Sequence, residues 1–215
     1  MDNKEIAALR REYSSQSLLE NQVSANAIDQ FSKWWDEAIS SEIVEANAMS
    51  LATASNDGMP YARVVLLKGF DERGFMFYTN YKSIKGIQLD ENPRACLLFY
   101  WKELERQVRI IGLVEKLSDE ENDEYFHSRP EGSRIGAWTS PQSEVVENRE
   151  WLDNRYRELS LKMTGGNIER PPHWGGYLVR PIIVEFWQGR PSRLHDRIQY
   201  SLQDDSSWKI ERLAP

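Results

Sequence analysis

Hydrophobic and polar positions change period several times along this chain, and each change marks an element. Ile6, Leu9 and Tyr13 fall at helical spacing until Ser14-Ser-Gln-Ser17 ends the pattern. A firmer helix follows, with Asn26 as its cap and Ile28, Phe31, Trp35, Ala38 and Ile39 as one apolar stripe. From Ala48 the period becomes two: Met49, Leu51 and Thr53 alternate with smaller residues, Asn56-Asp-Gly58 turns, and Tyr61 to Lys68 is strand-like. Asp71-Glu-Arg-Gly74 turns again into Phe75–Thr79, the spacing of antiparallel hairpins. Ser83 to Glu91 reads as a short helix closed by Asn92-Pro93, before strands over Arg94–Tyr100 and Arg106–Lys116. Ser118-Asp-Glu-Glu121 is a capping box whose helix stops by Pro130, and another helix starts near Asn148 with Leu152, Tyr156, Leu159 and Met163 on one side. After Gly165-Gly166 and Pro171-Pro172, strands return over Gly176–Gln188, Arg193–Tyr200 and Ser207–Arg212. Strands joined by tight turns, with helices inserted late, predict a mainly β fold: an antiparallel barrel with added helices.

Composition narrows the function. A chain of 215 residues fits one large domain or two small ones, and the pattern marks 1–20 as an appendage to a single domain over 21–215. The net charge of −7 argues against a nucleic-acid partner, so local arginine clusters point to discrete anion sites. The lone cysteine, Cys96, sits in an apolar run and admits no intramolecular disulfide. There is no apolar leader at the N-terminus and no segment of membrane-spanning length, so a cytoplasmic protein with no membrane partner is expected.

Candidate chemistry lies in a few short runs. If Arg193-Leu-His-Asp-Arg197 is extended, Arg193, His195 and Arg197 share a face and would repel one another unless an anion lay between them. A charged edge strand with solvated side chains fits the same residues. In Arg63-Val-Val-Leu-Leu-Lys68 the odd separation sends the two cations to opposite faces, toward two anions or toward water. Tyr78-Thr79, Ser83 and Lys85 surround a helix start and are the parts of a phosphate cradle, or of ordinary capping. Tyr125 and Arg129 lie four apart on the capping-box helix, with Ser133 beyond Pro130. Gln107 shares a strand face with Arg109, Gln142-Ser143 falls in a loop between helices, and Trp187 is one of eight tryptophans. Three scattered histidines without cysteine companions argue against a metal centre. There is also no P-loop and no Gly-x-Gly-x-x-Gly turn.

In order, these segments resemble the pyridoxamine 5'-phosphate oxidases, flavin enzymes of vitamin B6 metabolism. The stretches that carry the resemblance include Arg10-Arg-Glu-Tyr13, Arg63-Val-Val-Leu-Leu-Lys68, Glu105-Arg-Gln-Val108, Tyr125-Phe-His-Ser-Arg-Pro130, Trp174-Gly-Gly176, Glu185-Phe-Trp-Gln-Gly189 and Arg193-Leu-His-Asp-Arg197. The resemblance implies a Greek-key split β-barrel that binds FMN, with peripheral helices, working as a homodimer. It implies FMN contacts from Arg63, Val64, Val65, Leu66, Leu67, Lys68, Tyr78, Thr79, Lys85, Gln107, Gln142, Ser143, Trp187 and Arg197. Lys68, Tyr125, Arg129 and Ser133 would take the substrate phosphate, while Arg193, Leu194 and His195 would meet its ring, with Arg193 and His195 in the catalytic roles. Arg10, Arg11, Glu12 and Tyr13 would form a lid over bound substrate. The implied reaction oxidises pyridoxamine or pyridoxine 5'-phosphate to pyridoxal 5'-phosphate with molecular oxygen. A different split-barrel flavin reductase and a non-catalytic carrier of flavin or pyridoxal phosphate are the alternatives. One departure stands out. The family usually carries arginine between the serine and lysine of the FMN-phosphate helix, whereas Ser83-Ile-Lys85 has isoleucine, which implies weaker FMN retention.

Overall fold

The computed structural model describes residues 12–13, 16–163 and 165–215, which leaves Arg10 and Arg11 outside. Nine strands among the described residues belong to one sheet: β1 (Ala48–Ala54), β2 (Pro60–Leu66), β3 (Gly69–Asp71), β4 (Gly74–Asn80), β5 (Arg94–Trp101), β6 (Arg106–Lys116), β7 (Trp174–Gln188), β8 (Asp196–Leu202) and β9 (Trp208–Arg212). Their order is β2-β1-β5-β6-β7-β4-β3, with β8 on β7 and β9 on β8. The long β7 serves two antiparallel partners, β4 through Trp174–Val179 and β8 through Ile183–Gln188. Among the described residues there are five α-helices, and none is long and apolar enough to cross a membrane. The residues group into two compact units.

The first unit draws on Met1–Ser50, Cys96–Ile111 and Pro181–Pro215. Its helix α1 (Ala27–Ser40) begins where expected, with the Asn26 side chain accepting from the Ile28 amide. The buried stripe is Ala27, Phe31, Trp34 and Ala38, rotated from the expected one, and Ile39 is exposed. The reason is Arg106, whose guanidinium lies 4.3 Å over the Trp34 ring and pairs with Glu37 at 2.6 Å. Apolar spacing alone does not reveal a helix face that is turned by a cation. Phe31 then meets Phe99 and Trp101, while Trp34 packs edge-on to Phe186, which in turn meets Tyr200. Burial of these large rings anchors the unit.

The second unit spans Leu51–Ala95 and Gly112–Arg180. Gly74 has φ 146°, and a Cβ there would stand 2.1 Å from the Val179 carbonyl oxygen, so the β3–β4 turn needs glycine. Helix α2 (Ile84–Glu91) is capped by Ser83, and α3 (Asp119–Ser128) has both halves of the expected capping box. Helix α4 (Glu131–Thr139) follows at once. It was not expected, because Pro130 read as an end and Gly132 and Gly136 weaken the helical pattern; proline at the entry to a helix also starts one. Helix α5 (Arg149–Met163) has no fully buried residue, although Leu159 and Met163 reach a core of Phe126, Ile135, Ile168 and Trp174.

Two local expectations are corrected. Strand β2 ends at Leu66, so Lys68 lies in the link to β3, with its amide bonded to the Met76 carbonyl. The 193–195 segment is not strand: Ser192 and Arg193 have φ 56° and 61° in a tight turn, and β8 starts at Asp196. The alternation argument for Arg193, His195 and Arg197 therefore does not hold.

Candidate functional site

In the second unit, cations gather at the start of α2 with no acid among the described residues to meet them. Ser83, fully buried, donates through Oγ to the Asn80 carbonyl at 2.7 Å and accepts from the Gly86 amide at 3.4 Å. The Lys85 Nζ donates to Gln142 Oε1 at 2.9 Å and to Thr79 Oγ1 and Ser83 Oγ, each at 3.2 Å. Arg63 reaches the Thr53 hydroxyl at 2.6 Å, the Leu51 carbonyl at 3.2 Å and Gln88 Oε1 at 3.5 Å. Every one of these acceptors is neutral. Burial, then the nearby Arg63 charge, pushes the Lys85 pKa down to about 8, and burial also lowers that of Arg63. Two like charges beside a helix N-terminus with only dipoles around them suit a phosphate dianion.

A cleft of about 530 Å³ adjoins this nest, and Thr79 and Gln142 line it. Its other lining residues include Leu66, Lys68, Tyr78, Tyr125, Arg129, Ser133 and Trp174. Tyr78 and Tyr125 stack at 3.9 Å between ring centroids, and Trp174 lies nearly parallel to both, at 5.4 and 6.2 Å. The Arg129 guanidinium sits 4.6 Å over the Trp174 ring, and its Nη1 is buried without a hydrogen-bond partner. Arg129 lines the cleft, and an orphaned guanidinium nitrogen is what a bound oxyanion would satisfy. Burial and then Glu121 push the Tyr78 phenol up to about 12, so it remains a proton donor near neutral pH. Of the remaining residues in the Arg63–Lys68 run, Leu67 is buried, Val65 is half-buried and Val64 is exposed. Ser143 follows Gln142 with φ 75°.

The first unit holds the other candidates. Trp187 and Arg197 face each other across the β7–β8 ladder. Arg197 Nε donates to Glu185 Oε1 at 2.8 Å, and Arg109 binds the same carboxylate, which is 2% exposed. The anion required between cations is thus supplied for Arg197 by the protein itself. The His195 ring is 4.5 Å from Trp187, and Tyr13 is 5.8 Å from both. His195 Nδ1 accepts from the Arg190 amide at 3.1 Å, which leaves the proton of the neutral ring on Nε2. Burial, then Arg193, holds the His195 pKa below its ordinary value. Arg193, Leu194 and Glu12 are exposed, and Gln107 is half-buried on β6.

Residues 35–162 match the family model for pyridoxamine 5'-phosphate oxidase, and residues 174–215 match the C-terminal dimerisation region of pyridoxine 5'-phosphate oxidase. The chain belongs to the pyridoxamine 5'-phosphate oxidase family. A pyridoxine/pyridoxamine 5'-phosphate oxidase of Nostoc punctiforme is 56% identical over 213 residues, 99% of this chain and 100% of the relative. Among solved structures, PhzG from Burkholderia lata in complex with tetrahydrophenazine-1-carboxylic acid is 32% identical, with a TM-score of 0.87 over 94% of this chain and 100% of that one. A pyridoxamine 5'-phosphate oxidase-related, FMN binding protein from Nostoc punctiforme shares the fold at a TM-score of 0.70 and 20% identity, covering 93% of this chain and 100% of that one. The fold is the split barrel expected for the family.

Sequence reasoning missed two residues of this oxidase-family fold that hold others in place. Glu185 and Trp187 share a face of β7, so alternation could have flagged that carboxylate as a partner for Arg197. Arg170 had no comparable local signal, because its partners lie roughly fifty positions earlier in the chain, at Asp119 and Asp123.

Proposed function

We propose that this protein oxidises pyridoxamine 5'-phosphate and pyridoxine 5'-phosphate to pyridoxal 5'-phosphate in the cytoplasm. Molecular oxygen is the final acceptor, hydrogen peroxide is released, and the amine substrate also yields ammonia. The observation that carries this reading is a pair of cation nests, Arg63/Lys85 and Lys68/Arg129, neither paired with a carboxylate among the described residues and both bordering on Thr79 and Gln142. One nest suits the phosphate of FMN and the other that of the substrate. FMN, when bound, supplies a two-electron acceptor that oxygen can regenerate.

The protein's part is placement. Lys68, Arg129 and Ser133 grip the substrate by its phosphate, remote from the reacting carbon, and this positioning lowers the barrier without a covalent step. Tyr78, Gln107, Gln142, Ser143, Trp187 and Arg197 contact the flavin. Arg193 orients the pyridine ring, and His195, with its proton on Nε2, assists placement or proton movement. An amine that binds deprotonated needs no single general base. The protein works as a homodimer through its C-terminal region, residues 174–215. The test is peroxide release under air after pyridoxamine 5'-phosphate is added to FMN-saturated protein. Peroxide and pyridoxal 5'-phosphate are expected in equal amounts. No peroxide, or turnover only with a reduced nicotinamide, would overturn the reading.

A further inference from the structure

We infer that Arg170 is a positioning residue, which locks helix α3 against the start of β7 and so sets Tyr125 and Arg129 to receive the substrate phosphate. The inference rests on the substrate site proposed above. Arg170 lies in the loop before β7 with its side chain 11% exposed. All three guanidinium nitrogens are engaged: Nε with Asp123 Oδ1 at 2.5 Å, Nη2 with Asp119 Oδ1 at 2.7 Å, and Nη1 with the Trp174 carbonyl at 3.0 Å. The two aspartates are one helical turn apart on α3, and a planar fork can bridge them where a lysine could meet only one.

The helix needs such a clamp. Its first six residues are Asp119, Glu120, Glu121, Asn122, Asp123 and Glu124, and acids so close together repel one another. Arg73 takes Glu121 at 2.8 Å, and Arg170 takes Asp119 and Asp123. Arg170 thereby relieves the repulsion and ties the helix to Trp174 with one side chain. Trp174 is the common reference for the site, since its ring stacks near Tyr125 and underlies Arg129. A second tie, from the Gly176 amide to Asn122 Oδ1 at 2.6 Å, persists without Arg170. Loss of Arg170 should therefore loosen the aim of Arg129 without melting α3.

The experiment compares Arg170→Ala, Arg170→Lys and the double variant Asp119→Asn/Asp123→Asn with the parent, as full chains saturated with FMN. For R170A we expect KM for pyridoxamine 5'-phosphate to rise roughly tenfold, kcat to stay within about twofold and the FMN Kd to hold. Unphosphorylated pyridoxamine should show unchanged kcat/KM, because it makes no use of Arg129. Lysine should restore only part of the loss. Should R170A not fold, the double variant carries the expectation in reduced size, a rise in KM of about threefold, since its neutral amides keep an acceptor but lose the charge that holds Arg170. Asp119 and Asp123, 83% and 50% exposed, tolerate an isostere. An unchanged KM, or an equal fall in kcat/KM for both vitamers, would overturn the inference. Arg129→Ala separates the two levels. If it leaves KM for the phosphorylated substrate unchanged, the substrate site itself is misassigned; if it raises KM while the Arg170 variants do not, only the positioning role fails.

Discussion

Lys85 and Arg197 are both candidate cofactor ligands, yet their surroundings differ in charge. Lys85 in the second unit is met by two hydroxyls and an amide oxygen, with Arg63 as a further cation nearby. Arg197 in the first unit shares a buried carboxylate, Glu185, with Arg109. The first arrangement is electrostatically incomplete and becomes complete only when an anion arrives. In the second each cation already has a carboxylate to meet it, which holds it in place whether or not a ligand is present. Removing a charge should therefore harm ligand binding in one unit and folding in the other.

The largest effect expected from this contrast is on stability. Glu185→Gln leaves Arg109 and Arg197 facing each other without an acid and should cost about 3 kcal/mol. Urea unfolding of the flavin-free protein measures it, and a loss below about 1 kcal/mol would erase the distinction. Next come Lys85→Met and Arg129→Ala, each removing charge-assisted bonds to one phosphate, worth roughly 1.5–3 kcal/mol. Lys85→Met should weaken FMN binding and Arg129→Ala should raise KM for pyridoxamine 5'-phosphate, each about ten- to a hundredfold. Neither should lower the melting temperature of the flavin-free protein, since no carboxylate is left unpaired.

The pH dependence sharpens the contrast further. Lys85 is held at about 8, below the ordinary lysine value, so the free site loses its ammonium as pH rises through 8. A phosphate dianion favours the protonated form, so binding takes up a proton above pH 8. The FMN Kd should weaken roughly tenfold from pH 7 to pH 9, and Lys85→Met should abolish that slope. The smallest expected effect is at position 84. Ile84 is 44% exposed, so Ile84→Arg would act through solvent and tighten FMN binding by only about 0.5–1 kcal/mol. That is less than a desolvated contact would give, and equilibrium dialysis against FMN would measure it.

How much of this was legible in the sequence depended on how local the cause was. The Ser118–Glu121 capping box, the Asn26 cap and the Gly74 turn are set by neighbours a few residues away, and each was read correctly. The nest around Lys85 could be sketched because Thr79, Ser83 and Lys85 are close in the chain, but the contribution of Gln142 comes from 57 residues further on. The turn at Ser192-Arg193 was missed, since neither residue announces a positive φ. The rotated face of α1 was missed for a similar reason, because it depends on an arginine 69 residues beyond its partner Glu37. Helix α4 was lost to an ambiguity in proline, which ends one helix and opens another.

The most direct test of the central claim is a crystal structure of the protein with FMN and pyridoxal 5'-phosphate bound together. Two phosphate groups are expected in separate places, one within hydrogen-bond reach of Lys85 and Arg63 and the other of Lys68 and Arg129. Both phosphates in one nest, or either nest left without an anion while the ligands bind elsewhere, would contradict it.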